Sequence, residues 1–221
     1  MKTIRENYMD LLNTGKSERL VKQYEPFAFI MNDPLLGQEY GFRVKGKTLK
    51  DPWGTVISWP ETEHAGMPYI TEENKVCPDV TRWREYVKAS NLEFPEEAWA
   101  PAIEAANQVD REEYLVTGVM VTGIFERMHF LMGFEDTLMN LLLEPEAMEE
   151  LADYILEWKL EYAKQLIDHL HPDAMLSHDD WGAKDRLFMS RDVWVEIFKP
   201  RYEKLYGYIR SRGVQVIHHA D

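Results

Sequence analysis

The second half of the chain alternates between two hydrophobic periods. YLVTGVMVT, starting at Tyr114, is a β-rich apolar run, and after Gly123 the segment FERMHFLMG reads as helical. EPEAMEELADYILEWKLEYAKQLIDHLH then carries Met148, Leu151, Ile155, Trp158, Tyr162, Leu166 and Leu170 at three- or four-residue steps, with Pro145 suited to its first turn. This pattern predicts one long helix with a single buried stripe. DAMLSHDD predicts a short strand and WGAKDRLFM a loop, and Ser190 is placed to cap the helix RDVWVEIFKPRYEKLYGYIRSR. Pro200 should kink that helix and Gly213 should end it. The last segment, VQVIHHAD, is again a strand.

The first half is less regular. TIRENYMDLLNTG places Ile4, Tyr8, Leu11 and Leu12 on one helical face and stops at Gly15, a good left-handed cap. From Ser17 to about Ser90, MNDPLLGQEYG, DPWGTVISWPET and HAGMPYI interleave Pro, Gly and aromatic residues, which predicts loops and short strands packed over another body. PEEAWAPAIEAANQ reads as a helix that Pro101 bends or divides.

Strand, helix, strand, helix, strand at these spacings predicts a parallel α/β sheet. The polar clusters SHDDWG and HHAD fall at the carboxyl ends of their strands, the end where ligands bind in such folds. No GxGxxG follows a candidate strand and no phosphate-binding loop is present, so a (β/α)8 TIM barrel is the better expectation. Only four or five strands can be found, whereas a barrel needs eight and usually about 250 residues. The expected fold is therefore an incomplete barrel, the N-terminal portion of a longer protein. Residues 1–90 form a helix and aromatic-rich loop region, and residues 91–221 the first part of the barrel.

Composition narrows the chemistry. The 221 residues carry a formal net charge of -14 and no Lys/Arg-rich run, which argues against nucleic acid and anionic membrane as partners. No apolar run spans a bilayer and the N-terminus lacks a secretory signal, so a cytoplasmic location is expected. The single cysteine, Cys77, makes neither an internal disulfide nor a thiolate cluster, so any metal would be held by His and carboxylates.

Strand alternation puts Val214, Val216 and His218 on one face of the last strand and Gln215, Ile217, His219 and Asp221 on the other. With the valines against helices, His219 and Asp221 face the interior, able to chelate a divalent ion or to move a proton. His218 reads as a satisfied, partly buried histidine. In SHDDWG, Asp179 and Asp180 either bind a ligand or accept turn N–H groups and pair with Lys184 or Arg186. In FERMHF, Glu126, Arg127 and His129 follow a strand, and Arg127 either clamps a substrate carboxylate or pairs on the helix surface. DPWG, Asp51 to Gly54, is either an ordinary turn or a means of holding an Asp and an indole over a pocket.

Gly123 with IFERMHFLMG, the Glu-Pro-Glu helix start, HDDWGAKDRLFMS, VWVEIFKPRYEKLYGYIRSRGVQVI and the final HHAD together resemble the uroporphyrinogen decarboxylase superfamily. That group also includes corrinoid-linked methyltransferases. The resemblance covers Tyr114 to Asp221 and extends more loosely to DPWG, which is similar to an Asp-x-Trp/Phe-Gly element of methyltransferase-like members. It implies a TIM barrel with its substrate cleft at the C-terminal end. Zinc-dependent members carry a His-x-Cys where this chain has His219 and Asp221, so the thiolate pattern is broken, and an oxygen-rich metal site or a metal-free acid/base site fits better. The decarboxylase's Met-Arg-Gln-Ala-Gly-Arg element is absent from Met1 to Ser90, and His129 stands where decarboxylases carry a tyrosine.

The resemblance thus implies a methyltransferase or demethylase that moves a methyl group from a small methylated substrate to a corrinoid held on a partner protein. Asp180 and His219 would be catalytic, and His219 with Asp221 would bind a divalent metal, zinc or another. Asp51, Trp53, His129, Asp179 and Trp181 would bind substrate. The alternatives are cofactor-free decarboxylation of uroporphyrinogen, and a non-catalytic fragment whose open barrel acts only in assembly. A homodimer of the full-length protein is compatible with each enzymatic reading.

Overall fold

The computed structural model describes residues 1–41 and 43–220. Four parallel strands make the central sheet: β1 (Phe27–Ile30), β5 (Leu115–Met120), β6 (Ala174–His178) and β9 (Gln215–His219), in the spatial order β1-β5-β6-β9. Neighbours in space are thus successive strands of the sheet in sequence, each added to the same edge. A doubly wound sheet would reverse direction part-way; this one does not. The architecture is a mixed α/β fold with a parallel central sheet, compatible with part of a TIM barrel. The register pairs Ser177 with His218 and His178 with His219, which sets two polar clusters side by side.

Helices cover the sheet. In chain order they are α1 (Ile4–Thr14), α2 (Leu36–Tyr40), α3 (Trp83–Tyr86), α4 (Glu96–Gln108), α5 (Ile124–Met132), α6 (Phe134–Leu143), α7 (Pro145–Leu170), α8 (Arg191–Val193) and α9 (Lys199–Ser211). The predicted stripe of α7 is buried along its whole length, from Met148 to Leu170. Its Tyr162 donates its hydroxyl to the Val119 carbonyl of β5 at 3.2 Å, so helix and strand are joined by a polar contact as well as by apolar packing. A second, antiparallel sheet of β2 (Lys47–Lys50), β3 (Val56–Trp59) and β4 (Met67–Pro68) lies on one side of the cleft, and a short hairpin of β7 (Gly182–Ala183) and β8 (Arg186–Leu187) on another.

Several expectations need correction. The region 1–90 does not merely pack on the sheet, because it supplies β1; FAFI is only four residues long and sits among loops, too short to show a period. In α1 the exposed residues include Leu11 and Leu12, whereas Asn7 is buried. Its amide accepts from the Glu18 N–H at 2.8 Å and donates to the Arg19 carbonyl at 3.1 Å, tying down the chain after Gly15. Helix α4 runs through Pro101 without a break. Pro200 acts not through a simple kink but beside a π-helical stretch, Trp194–Phe198, that joins α8 to α9. Proline offers no N–H to the preceding turn, and a widened turn is one way to redistribute the stranded carbonyls. In the same stretch the Arg201 guanidinium donates to the Ile197 carbonyl at 2.6 Å.

Candidate active site

The end of β6 alternates faces residue by residue, and the chemistry follows the alternation. Ser177 and Asp179 point toward the helices, while His178 and Asp180 point into a cleft. On β9 the same rule sends His218 to the helices and His219 toward His178. The Tyr206 hydroxyl lies 3.0 Å from Ser177 Oγ and 2.6 Å from His218 Nδ1, and Trp181 stacks on the His218 ring at 4.4 Å. Burial, with the charges of His178 and His219, pushes His218 down to about 4, so it is a neutral packing residue at pH 7.

Asp179 is fully buried and caps α5 from outside that helix. Its Oδ2 accepts from the Phe125 N–H at 3.0 Å, from Trp181 Nε1 at 2.8 Å and from the Tyr202 hydroxyl, and its Oδ1 accepts from the Glu126 N–H at 2.9 Å. These backbone N–H groups are donors that a helix N-terminus leaves without partners of its own. The approach is so close that a Cβ on Gly123 would lie 2.0 Å from the Asp179 Cβ, which explains the glycine. Desolvation, reinforced by the charge of Glu126, raises Asp179 to about 6 despite these bonds. Asp179, expected to bind substrate, takes its hydrogen bonds from donors within the fold and serves here as the cap of α5.

The cap delivers Glu126 to the cleft. Its Oε2 accepts from the Gly123 N–H at 3.0 Å and lies 2.9 Å from His178 Nδ1. His178 Nε2 is 3.6 Å from Asp180 Oδ1, and His219 Nε2 is 3.7 Å from the same oxygen. The two imidazoles are stacked with centroids 4.7 Å apart and planes 8° from parallel, as their paired register requires. One donor atom from each of His178, Asp180 and His219 falls within 4.8 Å of the others. Burial opposes ionisation of both His178 and Glu126, but their mutual hydrogen bond and charge outweigh it. The histidine is raised above 6.5 and the glutamate lowered below 4.5.

Two lobes open in front of this array. The larger, about 640 Å³, is lined by Met67, Pro68, Phe130, Phe134 and Phe188 with His129, Glu126, Asp180 and Lys184 among its polar groups. The smaller, about 350 Å³, adds Met31, Tyr40, Arg43, Thr122 and His178. Glu126 and Asp180 border both. Burial lowers His129 to about 4, against the pull of Glu126, so it enters the larger lobe as a neutral imidazole. Arg43 stacks over Tyr40 at 3.5 Å, with burial lowering its guanidinium from 12.5.

Other expected substrate contacts lie away from the lobes. Asp51 is buried: its Oδ1 accepts from the Trp53 and Thr55 N–H groups at 3.0 and 2.8 Å, and its Oδ2 from Arg127 at 2.8 Å. DPWG is thus a turn with an aspartate aimed inward, and Arg127 neither clamps substrate nor pairs on the surface. Trp53 packs edge-on against Trp158 at 5.2 Å. Trp181 serves Asp179 and His218 and lines neither lobe. Asp221, expected as a metal ligand, lies outside the described residues. The sequence alone assigns no role to His178 or Glu126, although His178 shares the strand-end parity of Asp180, and Glu126 stands three residues after Gly123, where a capping glutamate belongs.

Among the described residues no helix is long and apolar enough to cross a membrane. Neither the curated proteins nor the solved structures contain a match to this chain. A family model, uroporphyrinogen decarboxylase (URO-D), matches residues 58–221, from β3 through α5 and α7 to β9. That span holds nearly three-quarters of the chain and every member of the cleft array, and the chain belongs to the uroporphyrinogen decarboxylase family.

Proposed function

We propose that this chain forms the first strands of a TIM barrel and its catalytic cleft, in a cytoplasmic enzyme of the methyltransferase-like branch of the superfamily. It would take a methyl group from a small methylated substrate and pass it to a corrinoid on a partner protein. The observation that carries this reading is the charge balance of the cleft. Among the described residues lining the two lobes, the fixed cations are Arg43 and Lys184, set against Glu126 and Asp180. A porphyrinogen bearing many carboxylates needs several cations around it. A small, weakly charged substrate between Phe130, Phe134 and Met67 does not.

Demethylation leaves a poor oxygen or nitrogen leaving group, which needs a proton or a Lewis acid. Asp180, which borders both lobes, and His219, 3.7 Å from it, are placed to meet that need, by relaying a proton or by holding a Lewis acid. Glu126 holds the ring of His178 through Nδ1, and Phe130, Phe134 and Phe188 give the larger lobe an apolar wall. The corrinoid would accept the methyl group. Met31, Met67, Phe134 and Phe188 are exposed at the rim, an apolar collar suited to a docked macrocycle.

Decarboxylation of uroporphyrinogen is the second reading, favoured by the description of the matching family model. The two separate in one experiment, in which the protein is assayed for methylation of cob(I)alamin across methoxylated and N-methylated compounds and, in parallel, for loss of CO2 from uroporphyrinogen. Corrinoid methylation that falls at least 100-fold in Asp180→Ala and His219→Ala supports the proposal. Turnover of uroporphyrinogen without corrinoid methylation overturns it.

A further inference from the structure

We propose that His178, Asp180 and His219 form a binding site for one divalent transition-metal ion, with Glu126 as the outer carboxylate that orients His178. The inference rests on donor geometry and goes beyond the methyl-transfer reading, because the site would bind its ion whichever reaction the cleft performs.

Three features converge. The first is spacing: Asp180 Oδ1 lies 3.6 Å from His178 Nε2 and 3.7 Å from His219 Nε2. Ligands about 2.1 Å from a tetrahedral ion are separated by about 3.4 Å, so both of these separations are within a few tenths of an ångström of that span, and all three donors lie within 4.8 Å of one another. The second is orientation. Metal-bound imidazoles commonly donate their other ring nitrogen to a carboxylate, which fixes the tautomer. His178 meets that requirement through Nδ1 and Glu126 at 2.9 Å, and Glu126 is itself held by the Gly123 N–H at 3.0 Å. The third is support: His178 and His219 are direct register partners on adjacent strands, so the backbone ladder presets their separation.

The donor set also selects the ion. Two imidazoles and one carboxylate suit zinc, ferrous iron, cobalt or nickel, and do not suit magnesium or calcium, which take oxygen ligands. Three protein ligands leave coordination positions open, and Asp180 borders both lobes, so those positions face the cleft. Neither Cys77 nor any other thiol lies among these donors. The site therefore differs in kind from a thiolate site, and the difference is visible by spectroscopy.

The test uses the full chain, stripped with chelator and titrated with Zn2+ by calorimetry, and with Co2+ followed by visible absorption. One equivalent of Zn2+ should bind, and Co2+ should give weak d–d bands with no thiolate-to-cobalt charge-transfer band. His178→Ala and Asp180→Asn should each weaken Zn2+ binding by 100-fold or more, and Glu126→Gln by roughly 10- to 100-fold. His64→Ala, an exposed histidine away from the lobes, should bind as the parent does. Circular dichroism shows whether each variant is folded, and the conservative Asp180→Asn keeps the test valid if His178→Ala is not. Failure to bind near-stoichiometric Zn2+ at micromolar free metal, or undiminished binding by folded His178→Ala or Asp180→Asn, overturns the proposal. Zinc binding without cob(I)alamin methylation would leave this site standing and remove the methyl-transfer reading alone.

Discussion

Gly123→Ala is the most diagnostic single substitution in the fold. The added Cβ would lie 2.0 Å from both Cβ and Cγ of Asp179, far inside any real contact distance. Asp179 cannot swing aside freely, because its oxygens hold the Phe125 and Glu126 N–H groups, Trp181 and Tyr202. Overpacking of this kind costs about 1–3 kcal/mol. If Asp179 is displaced, two buried N–H groups lose their acceptor, at about 1–3 kcal/mol each unless water reaches them. Displacement of Asp179 therefore costs about 2–6 kcal/mol, which for a chain of this size lowers Tm by roughly 4–24 °C. Gly207→Ala is the matched control, since a methyl group added to that helical glycine would meet nothing within 4 Å. It should stabilise by about 0.5–1 kcal/mol through helix propensity alone. Thermal unfolding followed by circular dichroism decides the matter. A Gly123→Ala protein that melts within about 2 °C of the parent would refute the close-approach argument and the capping role of Asp179 with it.

Two further outcomes follow from buried charge. Arg127→Met should cost about 3–5 kcal/mol in urea unfolding, because Asp51 would be left buried without its ion pair, and the double variant with Asp51→Asn should recover part of the loss. A loss under about 1 kcal/mol would mean that the pair is dispensable. His129 has a folded pKa of about 4 against 6.5 unfolded, so only the unfolded chain gains its proton as pH falls through that window. Its contribution to stability is complete above pH 6.5 and is lost on the way down to about 4. Between about pH 7 and about pH 4.5 that is roughly 2 kcal/mol, and it should be missing from the difference measured for His129→Phe. A ring resonance titrating near 6.5 by NMR would contradict it.

Periodicity made much of this molecule readable from the sequence. The seven-residue stripe of α7 needs no partner to be recognised, because apolar residues on one helical face must be buried against something. Alternation likewise separates His219 from His218 using only the valines beside them. Partners are a different matter. Arg127 and Asp51 are 76 residues apart, and Glu126 and His178 are 52 apart. No local pattern says that the carboxylate of a turn will meet the far side of α5. For the same reason the sequence leaves capping and ligand binding at Asp179 both open: two of its donors belong to α5 and a third to α9, which the sequence around Asp179 does not mention. Strand β1 escaped because four residues are too few to show a period among so many loop residues.

The alternation at the end of β6 makes Ser177 to Asp180 a matter of odd and even. Odd positions hold the fold together and even positions face the cleft, so two identical carboxylates one residue apart serve different ends. A single-residue insertion or deletion between Met175 and Asp179 would exchange their duties, burying the cleft acid and exposing the cap although both aspartates remain in the chain. Sense substitutions here degrade one property at a time, whereas a change of length by one would remove both together. The exposed Asp185 at the hairpin tip, which lines neither lobe, carries no such arithmetic.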